Sequence, residues 1–256
     1  MKAHLVQLDI TWEDPSANHA AARHLVETAA PEPGDLIILP ELFATGFSMN
    51  TSRTLDAAGA THAFLQTLAR DLGVLVQGGR TIAGARLAQN VMTVAAPAGT
   101  IAEYAKVHPF SLGREHEHFE AGSEVVTYPW GPAAAGLAVC PAICYDLRFP
   151  ELFRLGLARG AEVFALGACW PEVRQHHWRA LLIARAIENQ AYVLGVNRTG
   201  SDPSLRYAGG TIAVSPTGEV LGELAAEQGV LSVEVDPGAV RRWREKFPAW
   251  RDRRLP

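Results

Sequence analysis

The sequence predicts an α/β protein in which a mixed sheet, or two such sheets packed together, is covered by helices. Three observations predict it. Short apolar runs alternate with longer stretches of helical periodicity. The turns "PAG" and "SPTGE" join apolar runs as hairpins do, so antiparallel pairs must stand beside parallel ones. Of the 256 residues, 48% are apolar, enough for one large core.

The elements follow in order. "AHLVQLD" alternates apolar and polar and reads as a strand, and "PSANHAAARHLVETAA" reads as an amphipathic helix. "DLIILPE" is a buried strand, "ATHAFLQTLARDLG" a helix stopped at Gly73, and "VLVQGG" a strand. "RLAQNVMTVAAPAGTIAEYAK" gives two strands, and "SLGREHEHFEAG" reads as a polar loop. "AAGLAVCPAICYD" is a strand, "PELFRLGLARG" a helix with Pro150 in its first turn, and "AEVFALGA" a strand. The helix "QHHWRALLIARAIENQ", the strand "YVLGVN", the hairpin "GGTIAVSPTGEVLGEL" and the strand "GVLSVEVD" complete the chain. There is no repeat, linker or low-complexity segment, so one domain over residues 1–256 is expected.

Composition narrows the partners. With 23 Lys plus Arg against 27 Asp plus Glu, the net charge of −4 offers no electrostatic footprint for nucleic acid or an anionic membrane. No apolar run approaches the roughly 20 residues that span a bilayer. "MKAHLVQLDITW" lacks the pattern of a signal peptide, and three cysteines are too few and odd in number for a disulfide framework. A reduced, cytoplasmic protein is expected.

Chemistry-bearing residues stand where strands end, the usual place for sites in α/β folds. Glu41 follows "LIILP"; it is a surface acid at a loop start or a carboxylate held in a pocket. Lys106, in "EYAKVHPF", is one of only three lysines among the 23 basic residues. It is a chance lysine or a site that needs a compact ammonium rather than a guanidinium fork. Cys140 and Cys144 lie four positions apart in "AVCPAICYDLRFPE", and each is a packed thiol, a metal ligand, half of a disulfide or a nucleophile. An acid, an amine and a thiol together would make a nucleophilic site, with the ammonium and backbone N–H groups available to an oxyanion. His108, His116, His118 and the pair His176–His177 raise a metal reading, which the loop character of "SLGREHEHFEAG" makes poor.

"LPELFATGF", "KVHPF" and "ICYDLRFPELFR", in that order, resemble the three catalytic segments of the nitrilase superfamily of carbon–nitrogen hydrolases. The resemblance continues through "HFEAG", "WRALLIARAIENQAYVLGVNRTG", "SPTGEVLGE" and "KFPAWRD", where it is greatest to the omega-amidase branch that hydrolyses 2-oxoglutaramate and related 2-oxo acid amides. It implies a four-layer α-β-β-α sandwich with two mixed sheets, dimerising through helices, with no metal or organic cofactor. It also implies roles: Cys144 as nucleophile, Glu41 as general base, and Lys106 with the backbone N–H of Tyr145 as oxyanion donors. Glu115 would orient Lys106 or the substrate amide. Thioester formation with loss of ammonia would precede hydrolysis, and Cys140 would be an inert buried thiol. The chain departs from the family at "YAGGTIAV", where Gly210 and Thr211 replace a common Asp and Ser.

A small 2-oxo dicarboxylic monoamide carries a carboxylate, so its pocket needs a cation. Arg114, Arg174 and Arg198 are the loop candidates, with Trp170 and Pro171 as a wall. Lys106 is expected to stay cationic and to lower the Cys144 pKa. The alternatives are another amidase branch, acting on deaminated glutathione or an N-carbamoyl compound, and a non-catalytic binding protein of the same fold.

Overall fold

The structure is a computed structural model and describes residues 1–133 and 135–254. The chain runs through β1 (Lys2–Gln7), β2 (Leu36–Ile38), β3 (Leu75–Ala83), β4 (Ala88–Ala96) and β5 (Gly99–Ala105). There follow β6 (Tyr128–Trp130), β7 (Leu137–Ile143), β8 (Val163–Ala168), β9 (Tyr192–Asn197) and the short pair β10 (Thr199–Ser201) and β11 (Arg206–Ala208). The last strands are β12 (Ile212–Val214), β13 (Val220–Glu223) and β14 (Gly229–Glu234). They form two six-stranded mixed sheets, ordered β14-β1-β2-β3-β4-β5 and β13-β12-β9-β8-β7-β6. This is the two-sheet α/β architecture expected from the sequence.

Helices α1 (Pro15–Thr28), α2 (Thr51–Thr54) and α3 (Ala60–Leu72) belong to the first half of the chain. Helices α4 (Pro150–Ala158), α5 (Gln175–Asn189) and α6 (Pro237–Lys246) belong to the second. Asp14 caps α1 by accepting from the Ala17 N–H at 3.0 Å. Gly73 closes α3 at φ 70°, where a side chain would be strained.

The layering follows from the two-residue period of a strand. Along β8, Val163 and Ala165 face the other sheet, packing with Leu5, Ile38 and Val94. Phe164 and Leu166 point outward and pack with Phe153 of α4 and Trp178 and Leu182 of α5. On the first sheet, Val6 and Val76 meet Ala22 and Val26 of α1 and Leu65 and Leu68 of α3. Both faces of β8 are buried, which is why "VFALGA" reads as continuously apolar. Among the described residues no helix is long and apolar enough to cross a membrane.

The strand read as "AAGLAVCPAICYD" stops at Ile143, and Cys144–Arg148 is a 3-10 turn. "VLVQGG" continues as strand to Ala83. Helix α6 carries little apolar period, being rich in Arg and burying only Val240 fully, and its sequence signals are the Asp236 N-cap and Pro237 in the first turn.

Strand direction sets where the site lies. β1, β2 and β3 are mutually parallel, as are β7, β8 and β9. Two antiparallel steps, β3 to β4 and β4 to β5, return β5 to the direction of β2. Within each sheet, the segments after β2 and β5, and those after β7 and β8, therefore leave the carboxyl ends of co-directional strands, where α/β folds gather functional side chains.

Candidate active site

Glu41, Lys106 and Glu115 form one enclosed cluster, exposed by no more than 2%. Glu41 comes from the segment after β2. Its Oε1 accepts from Lys106 Nζ at 2.7 Å and from Asn90 Nδ2 at 2.8 Å, and its Oε2 accepts from the Cys169 N–H at 2.9 Å. Two glycines leave room for this segment between the sheets. A Cβ on Gly79 of β3 would collide with the Leu42 backbone nitrogen, and one on Gly167 of β8 would lie 2.8 Å from Leu39 O and 2.9 Å from Glu41 N.

Glu115 lies in the stretch expected to be a polar loop, yet it is fully buried. Its Oε1 accepts from Lys106 Nζ at 3.1 Å and Asn90 Nδ2 at 3.0 Å. Its Oε2 accepts from Lys106 Nζ at 2.8 Å and the Phe110 N–H at 2.6 Å. The two acids therefore differ. A carboxylate has about four acceptor positions. Protein donors occupy all of them on Glu115, while Glu41 keeps one on Oε2 that meets no donor among the described residues. Glu41 therefore has room for one further donor, and Glu115 has none.

Cys144 begins the turn after β7 at φ 44°, a left-handed conformation that costs a non-glycine residue on the order of 1–3 kcal/mol. It is 8% exposed, and its Sγ makes no hydrogen bond to any described residue. Burial first, then the Glu41 charge, pushes its pKa well above the ordinary thiol value, and Lys106 opposes this only in part. Lys106 does lower the thiol, as expected, but burial and the Glu41 charge outweigh it. Lys106 is shared by two carboxylates, so the cluster around Cys144 carries net negative charge and favours the neutral thiol. Burial alone would also neutralise Lys106, but Glu115 and Glu41 outweigh it and hold its pKa well above the usual ammonium value.

Cys144 opens onto a cleft of about 380 Å³ of free space, its solvent-facing part included. Phe47, Phe110, Tyr145, Trp170 and Pro171 supply apolar and aromatic walls, and Arg148 and Arg174 supply cations. Trp170 is held by Asn197, whose Oδ1 accepts from the Trp170 N–H at 2.7 Å and whose Nδ2 donates to the Trp170 carbonyl at 3.0 Å. Arg148 lies over the Trp170 ring at 4.7 Å and Arg174 over the Phe110 ring at 5.4 Å. Neither makes an ion pair among the described residues. Desolvation, then repulsion from His176, Arg148 and Arg174, holds the His177 pKa below its ordinary value.

Of the arginines expected to bind a carboxylate, only Arg174 reaches the cleft. Arg114 is a surface residue, with its side chain 73% exposed and forked onto Glu117. Arg198 is fully enclosed and donates to the Thr199, Ile10 and Ser201 carbonyls at 2.9–3.2 Å. Sequence reading passed over Arg148, Asn90, Asn197 and Cys169. Only Arg148 carried a signal, four residues after Cys144 on the same turn.

The remaining features find other partners. Cys140 faces α4, where burial pushes its thiol up to about 12. His108 pairs with Asp146, and among the described residues no three His, Cys, Asp or Glu side chains gather as a metal-holding group. Gly210 lends its carbonyl to Trp178 Nε1 at 2.8 Å, and Thr211 N–H donates to Gln7 Oε1 at 2.9 Å, so the departing loop is well anchored.

A two-sheet sandwich that brings a thiol, an ammonium and a partly free carboxylate together at its strand ends is the framework of an enzyme that works through acyl-thiol chemistry. The carbon–nitrogen hydrolase family model matches residues 2–245, and the chain belongs to that family, within the nitrilase superfamily. It is 36% identical to the omega-amidase YafV of Escherichia coli over 98% of this chain and 96% of that one. It is 37% identical to the 2-oxoglutaramate amidase of Bacillus subtilis, covering 96% and 95% of the two chains. Among solved structures it resembles a carbon–nitrogen hydrolase superfamily protein of Xanthomonas campestris that has an arsenic adduct in its active site. That match has a TM-score of 0.91 and 33% identity over 100% of this chain and 98% of that one.

Proposed function

We propose that this chain is an omega-amidase that hydrolyses the terminal amide of 2-oxo dicarboxylic acid monoamides such as 2-oxoglutaramate. The observation that carries the reading is the contrast between the two carboxylates: Glu41, whose charge acts on Cys144, retains a free acceptor position, and Glu115 retains none. Glu41 is then the base and Glu115 the residue that positions Lys106, not one that binds the substrate amide.

Cys144 Sγ attacks the amide carbon as its proton passes to Glu41 Oε2. The C–S bond forms and the carbonyl electrons move to oxygen. Lys106 Nζ and the Tyr145 N–H hold that oxyanion; the two Lys106–Glu115 contacts converge on one carboxylate, so a single N–H can serve both while another turns to the substrate. Glu41 returns the proton to the departing nitrogen, and ammonia leaves. It then takes a proton from water, whose oxygen attacks the thioester. Collapse of the second intermediate breaks the C–S bond and releases the acid, and Glu41 returns its proton to sulfur, restoring the thiol. A neutral resting thiol suits this sequence, because proton transfer accompanies attack.

The substrate carboxylate fits the end of the cleft where Arg148 and Arg174 lie, and the aromatic walls fit its short chain. Charged hydrogen bonds of this kind contribute about 1.5–3 kcal/mol. Arg148→Met is therefore expected to raise KM for 2-oxoglutaramate by roughly 10- to 100-fold, with the Cys144 alkylation rate unchanged. If neither Arg148→Met nor Arg174→Met moves KM, the carboxylate is bound elsewhere. The function itself is tested by ammonia release across 2-oxoglutaramate, 2-oxosuccinamate, deaminated glutathione, glutamine and a simple nitrile. The 2-oxo acid amides should lead, and a leading nitrile or deaminated glutathione would reassign the branch.

The rest of the reading is a single catalytic domain in a cytoplasmic homodimer, with neither nucleic acid nor membrane as partner. Exposed Leu155 on α4, Ile187 on α5 and Phe247 after α6 fit a helix-mediated contact between two copies.

A further inference from the structure

Asp146 is fully buried one residue beyond Tyr145, and the mechanism above gives it no task. Four donors surround its carboxylate. Oδ1 accepts from the His108 N–H at 3.0 Å and from His108 Nδ1 at 2.8 Å. Oδ2 accepts from the Tyr104 hydroxyl at 2.6 Å and from the Ile143 N–H at 3.0 Å. Every acceptor position is filled, so Asp146 has none left for a substrate.

The placement of those donors along the chain is informative. Tyr104 and His108 bracket Lys106, two residues to either side. Ile143 and Asp146 bracket Cys144 and Tyr145, which carry the thiol and the oxyanion N–H. We infer that Asp146 is a positioning residue that staples the lysine segment of one sheet to the cysteine turn of the other, setting the distance at which Lys106 and the Tyr145 N–H meet the oxyanion. The inference rests on the cysteine reading above.

Three further features agree. Cys144 occupies a left-handed backbone conformation that persists only when its surroundings over-determine it, and the Asp146–Ile143 bond closes the turn around it. The His108 ring stacks on Phe149 at 3.7 Å and 6°, fixing the outer end of the staple. Tyr104 stays protonated, and hence a donor, because burial and the Asp146 charge push its pKa well above the ordinary phenol value.

Asp146→Asn keeps the shape but turns two acceptor positions into donors facing N–H or O–H groups. Tyr104→Phe removes one bond and keeps the packing. The staple predicts a kcat for 2-oxoglutaramate lowered roughly 100-fold in Asp146→Asn and roughly 10-fold in Tyr104→Phe, with KM within threefold of the parent in both. Activity is counted per folded enzyme, with the folded fraction read from the denaturant-unfolding transition of each variant, so unfolded protein does not contribute. A kcat within twofold of the parent in Tyr104→Phe and Asp146→Asn overturns the inference. So does a loss that disappears when counted per folded enzyme, which would mean that Asp146 supports folding alone. If the parent enzyme keeps its turnover after Cys144 is alkylated, the cysteine reading has failed instead, and the two failures stay distinct.

Discussion

Cys144→Ala is expected to abolish ammonia release, with kcat falling by roughly 10³-fold or more, since the whole double displacement passes through its sulfur. Cys169 shares the cleft but does not replace it, because its Sγ donates to the Glu41 carbonyl at 3.3 Å and is held there. Cys169→Ala keeps the backbone N–H that steadies Glu41, so it serves as the control that retains turnover. The resting thiol should also react slowly with iodoacetamide. Burial and the Glu41 charge hold its pKa above the ordinary 9.0, so the alkylation rate should still be rising at pH 9. A thiolate plateau below pH 8 would contradict the neutral resting thiol. Turnover surviving in Cys144→Ala would end the cysteine mechanism.

Lys106→Met should lose both activity and stability. One oxyanion donor is worth roughly 10²–10³ in kcat, and without the ammonium two carboxylates are left facing each other in a site exposed by at most 2%. Removing one member of a buried ion pair typically destabilises by about 3–5 kcal/mol, which denaturant unfolding measures directly. The folded-state pKa of Lys106 lies above its unfolded value. Its stabilising contribution is therefore complete at neutral pH and lost only as pH rises through that raised value into strong alkali. Lys106→Arg separates the two effects. The charge persists, so less stability is lost. The wider fork must fit where Nζ lies 5.3 Å from the Phe47 ring centroid, and it cannot put one donor on the oxyanion while holding both acids. Its kcat should fall nearly as far as that of Lys106→Met. Parent-like turnover in Lys106→Arg would refute the geometric argument.

The comparison of Glu41 with Glu115 shows how far residue patterns reach. Glu41 follows a buried apolar run, and that run marks it as a residue at a strand end. Glu115 sits in "SLGREHEHFEAG", which has no apolar period, and it is buried because Lys106 and the Phe110 N–H fold the loop around it. Only the family resemblance pointed to that residue. Asn90 looks like any polar residue of an alternating strand, although its Nδ2 bridges both acids. The arginines make the same point in reverse. Arg114, Arg174 and Arg198 all stand in connecting segments by sequence. They part company in space because Glu117 satisfies the first, backbone carbonyls enclose the third, and only the second is left facing the cleft.

Sequence alone determined the alternation of strands and helices, the strand ends that carry Glu41, Lys106 and Cys144, and the family to which those segments belong. These are local properties: period, turn chemistry and motif spacing are written in neighbouring residues. Tertiary structure alone decided which acid keeps a free acceptor, which of the three arginines reaches the cleft, and that burial and the Glu41 charge outweigh Lys106 at the thiol. Each of these depends on donors and charges brought from distant parts of the chain, and on how much water they exclude. The stretch "ICYDLRFPE" shows both sides. Its motif identified the nucleophile, and its Asp146 gained a task only when Tyr104 and His108 folded against it.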